Sequence, residues 1–120
     1  MIRTRRWNDP AEKNEGTKIL ICRYRPRGVK KSDETWDEWV ADLGPSRELL
    51  GDFHEQKVNW SEYKIRYLHE MKETKPQFYI RALKQRIASG ESITLLCSSA
   101  CTDENHCHRT LLKSLIESAR

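Results

Sequence analysis

The sequence predicts an α/β fold, a small mixed or parallel sheet of about three or more strands covered by four to five helices. Three observations carry this prediction. Two nearly continuous apolar runs, Ile19-Leu20-Ile21-Cys22 and Ile93-Thr94-Leu95-Leu96-Cys97, have strand length and no polar alternation. Such runs suit strands buried on both faces. The segment between them carries apolar residues at helical spacing, and a parallel pair of strands needs a crossover of this kind.

Taken in order, Ile2 to Trp7 reads as a short strand whose arginines suit a sheet edge or one exposed face. Asn8 to Gly16 is turn-rich and charged, and reads as a hairpin-type connection. The first buried strand follows over Lys18 to Tyr24, and Pro26 and Gly28 end it. Ser32 offers a helix N-cap with Asp33 and Glu34 in the favourable first turn. Trp36, Trp39, Val40 and Leu43 then keep helical spacing up to the stop at Gly44-Pro45.

Ser46 caps a short second helix with Leu49, Leu50 and Phe53 on one face. A third runs from Asn59 or Trp60 to Lys72 and buries Trp60, Tyr63, Tyr67 and Met71. Lys75-Pro76 opens a fourth, with Ile80, Leu83 and Ile87 inward, and Gly90 stops it. After the second buried strand comes a polar loop over Ser98 to Asn105. The last helix starts near His106 or Cys107 and carries Leu111, Leu112, Leu115 and Ile116.

A length of 120 residues fits one domain, residues 1–120, and leaves no room for a second core. Hydrophobic residues at 37% and charged ones at 33% give a packed core under a heavily charged surface. No apolar run reaches the ~18 residues that a membrane-spanning helix needs. The Arg-rich start has no apolar stretch after it and is no secretory signal, so a cytoplasmic setting and free thiols are expected. The net charge of +4 suits an anionic small molecule, a nucleic acid, or solubility alone.

Ligands of open α/β sheets bind beyond the carboxyl ends of the strands. Two loops leave such ends here. Arg23 to Lys31 holds five cationic side chains in nine residues. Arginine grips a carboxylate or phosphate at two points. The plain alternative for that loop is a solvated basic surface. The second loop, Cys97 to Arg109, holds three of the four cysteines, Cys97, Cys101 and Cys107, beside His106, His108 and Arg109.

Three chemistries fit the second loop. Cys107 or Cys97 is a reactive thiolate, stabilised by a helix N-terminus and a nearby cation. Alternatively Cys97, Cys101 and Cys107, with His106 or His108, hold zinc, although no paired C-x2-C set is present. Or the cysteines are packing residues, as Cys22 is expected to be. In that last case His108 exchanges protons while Arg109 and the helix N-terminus hold an anion. Arg3, Arg5 and Arg6 are a weak signal for nucleic acid, and no Walker loop or dinucleotide fingerprint occurs.

Ile2-Arg3-Thr4-Arg5-Arg6, Asp9-Pro10, Gly16-Thr17-Lys18-Ile19-Leu20-Ile21, Arg23, Pro26-Arg27-Gly28, Asp37-Glu38-Trp39, Asp42-Leu43 and Pro45-Ser46 resemble the YeaO-like proteins. These belong to the larger group catalogued as domain of unknown function 488. The likeness continues through Phe53-His54, Trp60, Tyr67 and Thr94-Leu95-Leu96 to the final loop. The resemblance implies a compact α/β fold and a bacterial or archaeal cytoplasmic protein, and it supplies no reaction. Many relatives resemble one another in an Asp before Arg23 and a Trp before Pro26, where this chain has Cys22 and Arg25. The YeaO-like branch resembles Tyr at 97 and Asn-His-Ala at 107–109. Here Cys97 and Cys107-His108-Arg109 are similar to the broader group instead. His106 and His108 match both branches.

The leading expectation is an anion-binding cleft for a phosphate, carboxylate or nucleotide, and the cleft also suits catalysis. Arg23, Arg27, Arg109 and Lys31 hold the anion. His108 donates or accepts a proton, and Cys107 or Cys97 supplies an auxiliary thiol. A nucleic-acid-binding module and a redox- or metal-sensing domain on Cys97, Cys101 and Cys107 are the alternatives.

Overall fold

The two apolar runs lie side by side at the centre of the sheet. In the computed structural model, which describes residues 1–99, 101 and 103–118, the strands are β1 (Ile2–Arg6), β2 (Thr17–Leu20), β3 (Glu38–Trp39) and β4 (Ile93–Cys97). Their order is β1-β4-β2-β3, and every neighbouring pair is parallel. Leu95 stands opposite Thr4 on one side and Ile19 on the other. The α/β class therefore holds, with a parallel sheet and four helices: α1 (Arg47–His54), α2 (Trp60–Glu70), α3 (Thr74–Ala88) and α4 (His108–Glu117).

Strand alternation splits the core in two. Ile19, Ile21 and Leu95 face the helices, packing with Leu43, Tyr67, Leu83 and Leu112. Leu20, Cys22 and Leu96 face the other way, toward Trp36, Cys97 and Cys107. Both central strands are thus covered on both faces, which is why their sequences carry no polar alternation. Among the described residues no helix is long and apolar enough to cross a membrane.

Local signals fix the helix starts. The Ser46 hydroxyl accepts from the Leu49 backbone N–H at 3.1 Å. Asn59 and Glu62 form a reciprocal capping box at the start of α2. Gly90 follows α3 at φ +97°, a conformation that favours glycine.

Two sequence expectations are overturned. The connection over Asn8 to Gly16 is not a hairpin, because β4 lies between β1 and β2 and all three are parallel. The loop is anchored instead by Glu15, whose carboxylate takes Nε and Nη2 of Arg5. The helix expected from Ser32 to Leu43 does not form either. That stretch holds short 3-10 turns at Lys31–Asp33 and Ala41–Leu43, with β3 between them. Tertiary contacts outweigh the helical spacing. Trp36 packs edge-on against Trp7 with ring centres 6.1 Å apart. Trp39, expected in the core, is 44% exposed and donates its indole N–H to the Cys22 carbonyl at 2.8 Å.

Candidate functional site

A cavity of about 470 Å³ opens beyond the carboxyl ends of β2 and β4. Its size falls in the range of small-molecule sites. The segment after β2 contributes Cys22, Arg25 and Pro26, and the loop after β4 contributes the thiols. Phe53 from α1 and Tyr63 from α2 add an aromatic wall, with ring centres 4.5 Å apart. The two loops that the sequence singles out therefore do meet at one sheet edge, because their strands are adjacent and parallel.

Three sulfurs converge there. Cys97 ends β4, Cys107 precedes α4, and Cys101 lies on the loop between them. The Cys97 Sγ is 3.2 Å from the Sγ of Cys101 and 3.2 Å from that of Cys107. All three lie within 4.8 Å of one another, a grouping able to hold a soft metal ion. Cys97 and Cys107 are buried, and Cys101 is partly exposed.

Contact between thiols separates their acidities. The Cys101 thiol is driven well below the ordinary thiol range, first by S–H donation from Cys107, then from Cys97, against the effect of burial, with the charges of His108, when protonated, and then Arg109 assisting. Cys97 and Cys107 are pushed up, because donating to Cys101 stabilises their protonated forms. The three titrate as a unit whose first proton comes from Cys101.

His108 opens α4 and is buried. Its Nε2 lies 2.8 Å from the Ile21 carbonyl oxygen. A carbonyl only accepts, so Nε2 carries the proton and Nδ1 keeps its lone pair. Nδ1 faces the Cys97 Sγ at 3.8 Å. Burial lowers the His108 pKa, so the ring stays neutral near pH 7.

Arg109 does not line the cavity; it is 6% exposed, and its Nε and Nη1 have no hydrogen-bond partner among the described residues. A buried guanidinium left in this state is costly. Its charge is felt by Cys101 and by Asp9, and Asp9 is itself bonded to Arg6.

The remaining predicted residues are placed as follows. Arg23 lines the cavity but donates to the carbonyls of Pro45 and Gly44, which ties the β2 loop to the segment before α1. Arg27 and Lys31 are exposed and do not line the cavity. His106 pairs with Asp103 at 3.1 Å, lies near Trp60, and stands outside the three-sulfur group. The N-terminal arginines are engaged with acids: Arg3 with Glu12, Arg5 with Glu15, Arg6 with Asp9.

Sequence reasoning gave Cys101 a role only in the metal- or redox-sensing alternatives and not as the thiol of the leading reading, yet it is the most acidic and most exposed of the three sulfurs. The C-x3-C spacing at a strand end was the available signal. Arg25 was passed over as well. It lines the rim, pairs with Glu34 at 2.8 Å and lies over the Trp36 ring. The loop residues Ala100 and Thr102 lie outside the described residues.

Comparison with known proteins gives a family and no reaction. Residues 2–120 match the model of DUF488-N3a, described as the active DUF488-N3 subclade. The "Uncharacterized protein YeaO" of Escherichia coli (strain K12) is 37% identical over 105 residues, covering 88% of this chain and 89% of the relative. The "Uncharacterized protein Mb3100c" of Mycobacterium bovis is 28% identical over 85 residues, covering 71% and 72%. No solved structure matches the chain.

Proposed function

The chain belongs to the DUF488-N3a family, and from that premise we propose that its cavity binds a small anionic molecule against a reactive thiolate at Cys101. Arg109 is the observation that carries the reading: it stands outside the cavity lining, but its charge is felt by Cys101, which lines the cavity. Two N–H groups on a buried cation have no protein acceptor among the described residues. These two donors lie on different edges of the guanidinium, and an oxyanion, carboxylate or phosphate, accepts from one of them.

The residues divide the work by their surroundings. Cys101 is the nucleophile, because it alone of the three thiols is both acidic and open to the cavity. Cys97 and Cys107 hold its charge by donation. His108 is a neutral base, held in one tautomer by Ile21. Of the predicted cations, Arg109 is the anion holder and Arg23 a positioning residue for the loop. A cytoplasmic setting, which keeps thiols reduced, is part of this reading.

The direct test is calorimetric titration of inorganic phosphate and of a nucleoside monophosphate into wild type, Arg109→Gln and Arg27→Ala. Binding lost in Arg109→Gln and kept in Arg27→Ala supports the reading. Binding lost only in Arg27→Ala moves the anion to the exposed loop and overturns it.

The three-sulfur grouping favours a second reading, a zinc site. Metal analysis of protein purified without chelator separates the two. Stoichiometric zinc released by thiol modification would select the metal.

A further inference from the structure

The anion reading leaves the closeness of the thiols unexplained. A nucleophile needs one cysteine, and a buried cysteine packs as well alone as in contact with others. Here two buried thiols touch the acidic one or each other, and a neutral imidazole faces one of them.

We propose that Cys101, Cys97 and His108 form a thiol–disulfide relay whose substrate is an anionic low-molecular-weight disulfide, which it reduces by two electrons. The inference rests on the reading of the cavity as a small-molecule site. It adds the substrate class and the reaction.

The relay has two steps. The Cys101 thiolate attacks one sulfur of the disulfide, a Cys101–substrate S–S bond forms, and the first substrate thiolate leaves with the electron pair. The Cys97 thiol then loses its proton to Nδ1 of His108, and its sulfur attacks the Cys101 Sγ. A Cys97–Cys101 bond forms, and the second substrate thiolate leaves, taking the proton from His108. Two protein sulfurs are oxidised and two substrate sulfurs reduced. The sulfurs close from 3.2 Å to the bonded distance of about 2.05 Å.

The positions of the sulfurs fit this order. The attacking sulfur, Cys101, is partly exposed on the cavity lining, and the resolving sulfur, Cys97, is fully buried 3.2 Å from it. The base is in place: His108 offers its lone pair at 3.8 Å. Arg25 on the cavity lining, with Arg109 outside it, supplies the anion preference. Cys107, whose sulfur lies within 4.8 Å of that of Cys101, is close to the charge during the attack.

The test uses the full chain, reduced and chelator-treated, with the dicarboxylate 5,5′-dithiobis(2-nitrobenzoate) as probe. Wild type is expected to release about two equivalents of the coloured thiolate in linked phases and keep no adduct. Its peptide holding all three cysteines should be lighter by a pair of hydrogens. The Cys97→Ser/Cys107→Ser variant is expected to release about one equivalent and keep the adduct on Cys101. His108→Gln should resolve the adduct about tenfold or more slowly than wild type, as read from the decay of the adduct once formed. This last comparison stands even if the double variant fails to fold.

A stable adduct on wild-type Cys101, modification at Cys22 first, or unchanged kinetics in Cys101→Ser would each overturn the relay. Phosphate titration of the wild-type chain, beside its disulfide reduction, keeps the two readings apart. Phosphate binding without disulfide reduction removes the relay alone, and absence of both removes the cavity reading too.

Discussion

His108 donates from Nε2 to the backbone carbonyl of Ile21 at 2.8 Å, which ties the start of α4 to the end of the β2 run. The bond fixes the tautomer and leaves Nδ1 free toward the thiols. Burial holds the folded-state pKa of His108 below its ordinary value. Below about pH 6.5 the unfolded chain takes a proton that the folded chain resists. Stability therefore falls as the pH drops through that value, and it is unaffected by this group above it. Urea midpoints measured between pH 8 and pH 5 should decline in wild type and decline less in His108→Gln. Equal slopes would place the imidazole in water.

Cys101 should stand apart from the other thiols in alkylation. With its pKa lowered by donation from Cys107 and Cys97, its rate should be high and flat from about pH 6 to pH 8, below the free-thiol value of about 8.5. Cys97 and Cys107 should stay slow across the same range. Removing both donors in Cys97→Ala/Cys107→Ala should move the Cys101 profile to higher pH without abolishing it. Peptide-resolved mass spectrometry reads all four cysteines at once. A Cys101 that titrates with Cys22 would end the thiolate argument.

Arg109 should trade stability against binding. It is buried with two unpaired donors, so replacing it by an apolar side chain of similar length removes a desolvated charge. Arg109→Met is expected to be neutral or to stabilise the unliganded chain by about 1 kcal/mol or more, as replacement of buried charges often does. The same variant should lose phosphate binding and slow Cys101 alkylation. Denaturant unfolding with and without phosphate reads both effects. A loss of several kcal/mol in the unliganded chain would mean that Arg109 has a structural partner.

Much of the fold was legible because it depends on local apolar pattern. Ile19 to Cys22 and Ile93 to Cys97 are buried on both faces, so their sequences carry no polar alternation, and their shared edge followed from the crossover rule. Trp36 and Trp39 misled because their spacing is helical while their partners are distant. Trp36 meets Trp7, and Trp39 reaches the Cys22 carbonyl. No local signal encodes either contact. The site was legible as two loops but not as a set of side chains. Arg23, Arg25 and Arg27 look alike in sequence. Only packing decides that one clamps carbonyls, one lines the rim, and one is exposed.

The same limit applies to Arg5, which reads as one of several surface arginines. It is 9% exposed, and Glu15, at 6%, takes its Nε and Nη2 in a two-point bond while its Nη1 reaches the carbonyls of Arg6 and Asp9. The pair pins the β1–β2 connection over the edge of the sheet, and the Glu15 carbonyl accepts from the Thr94 hydroxyl at 2.8 Å. Removing one partner strands the other charge, so Glu15→Gln should cost about 3 kcal/mol. Replacing both, as Arg5→Met/Glu15→Leu, should cost much less, because no uncompensated charge remains. Acid gives an independent check. The Arg5 guanidinium holds the Glu15 carboxyl below its ordinary range, so its contribution is complete above about pH 4.3 and is lost as the pH falls through the lowered folded-state value. A double-mutant cycle followed by chemical denaturation at pH 7 and pH 3 should show coupling at the first pH and little at the second. Additive single variants at pH 7 would show that the two side chains are not paired in solution.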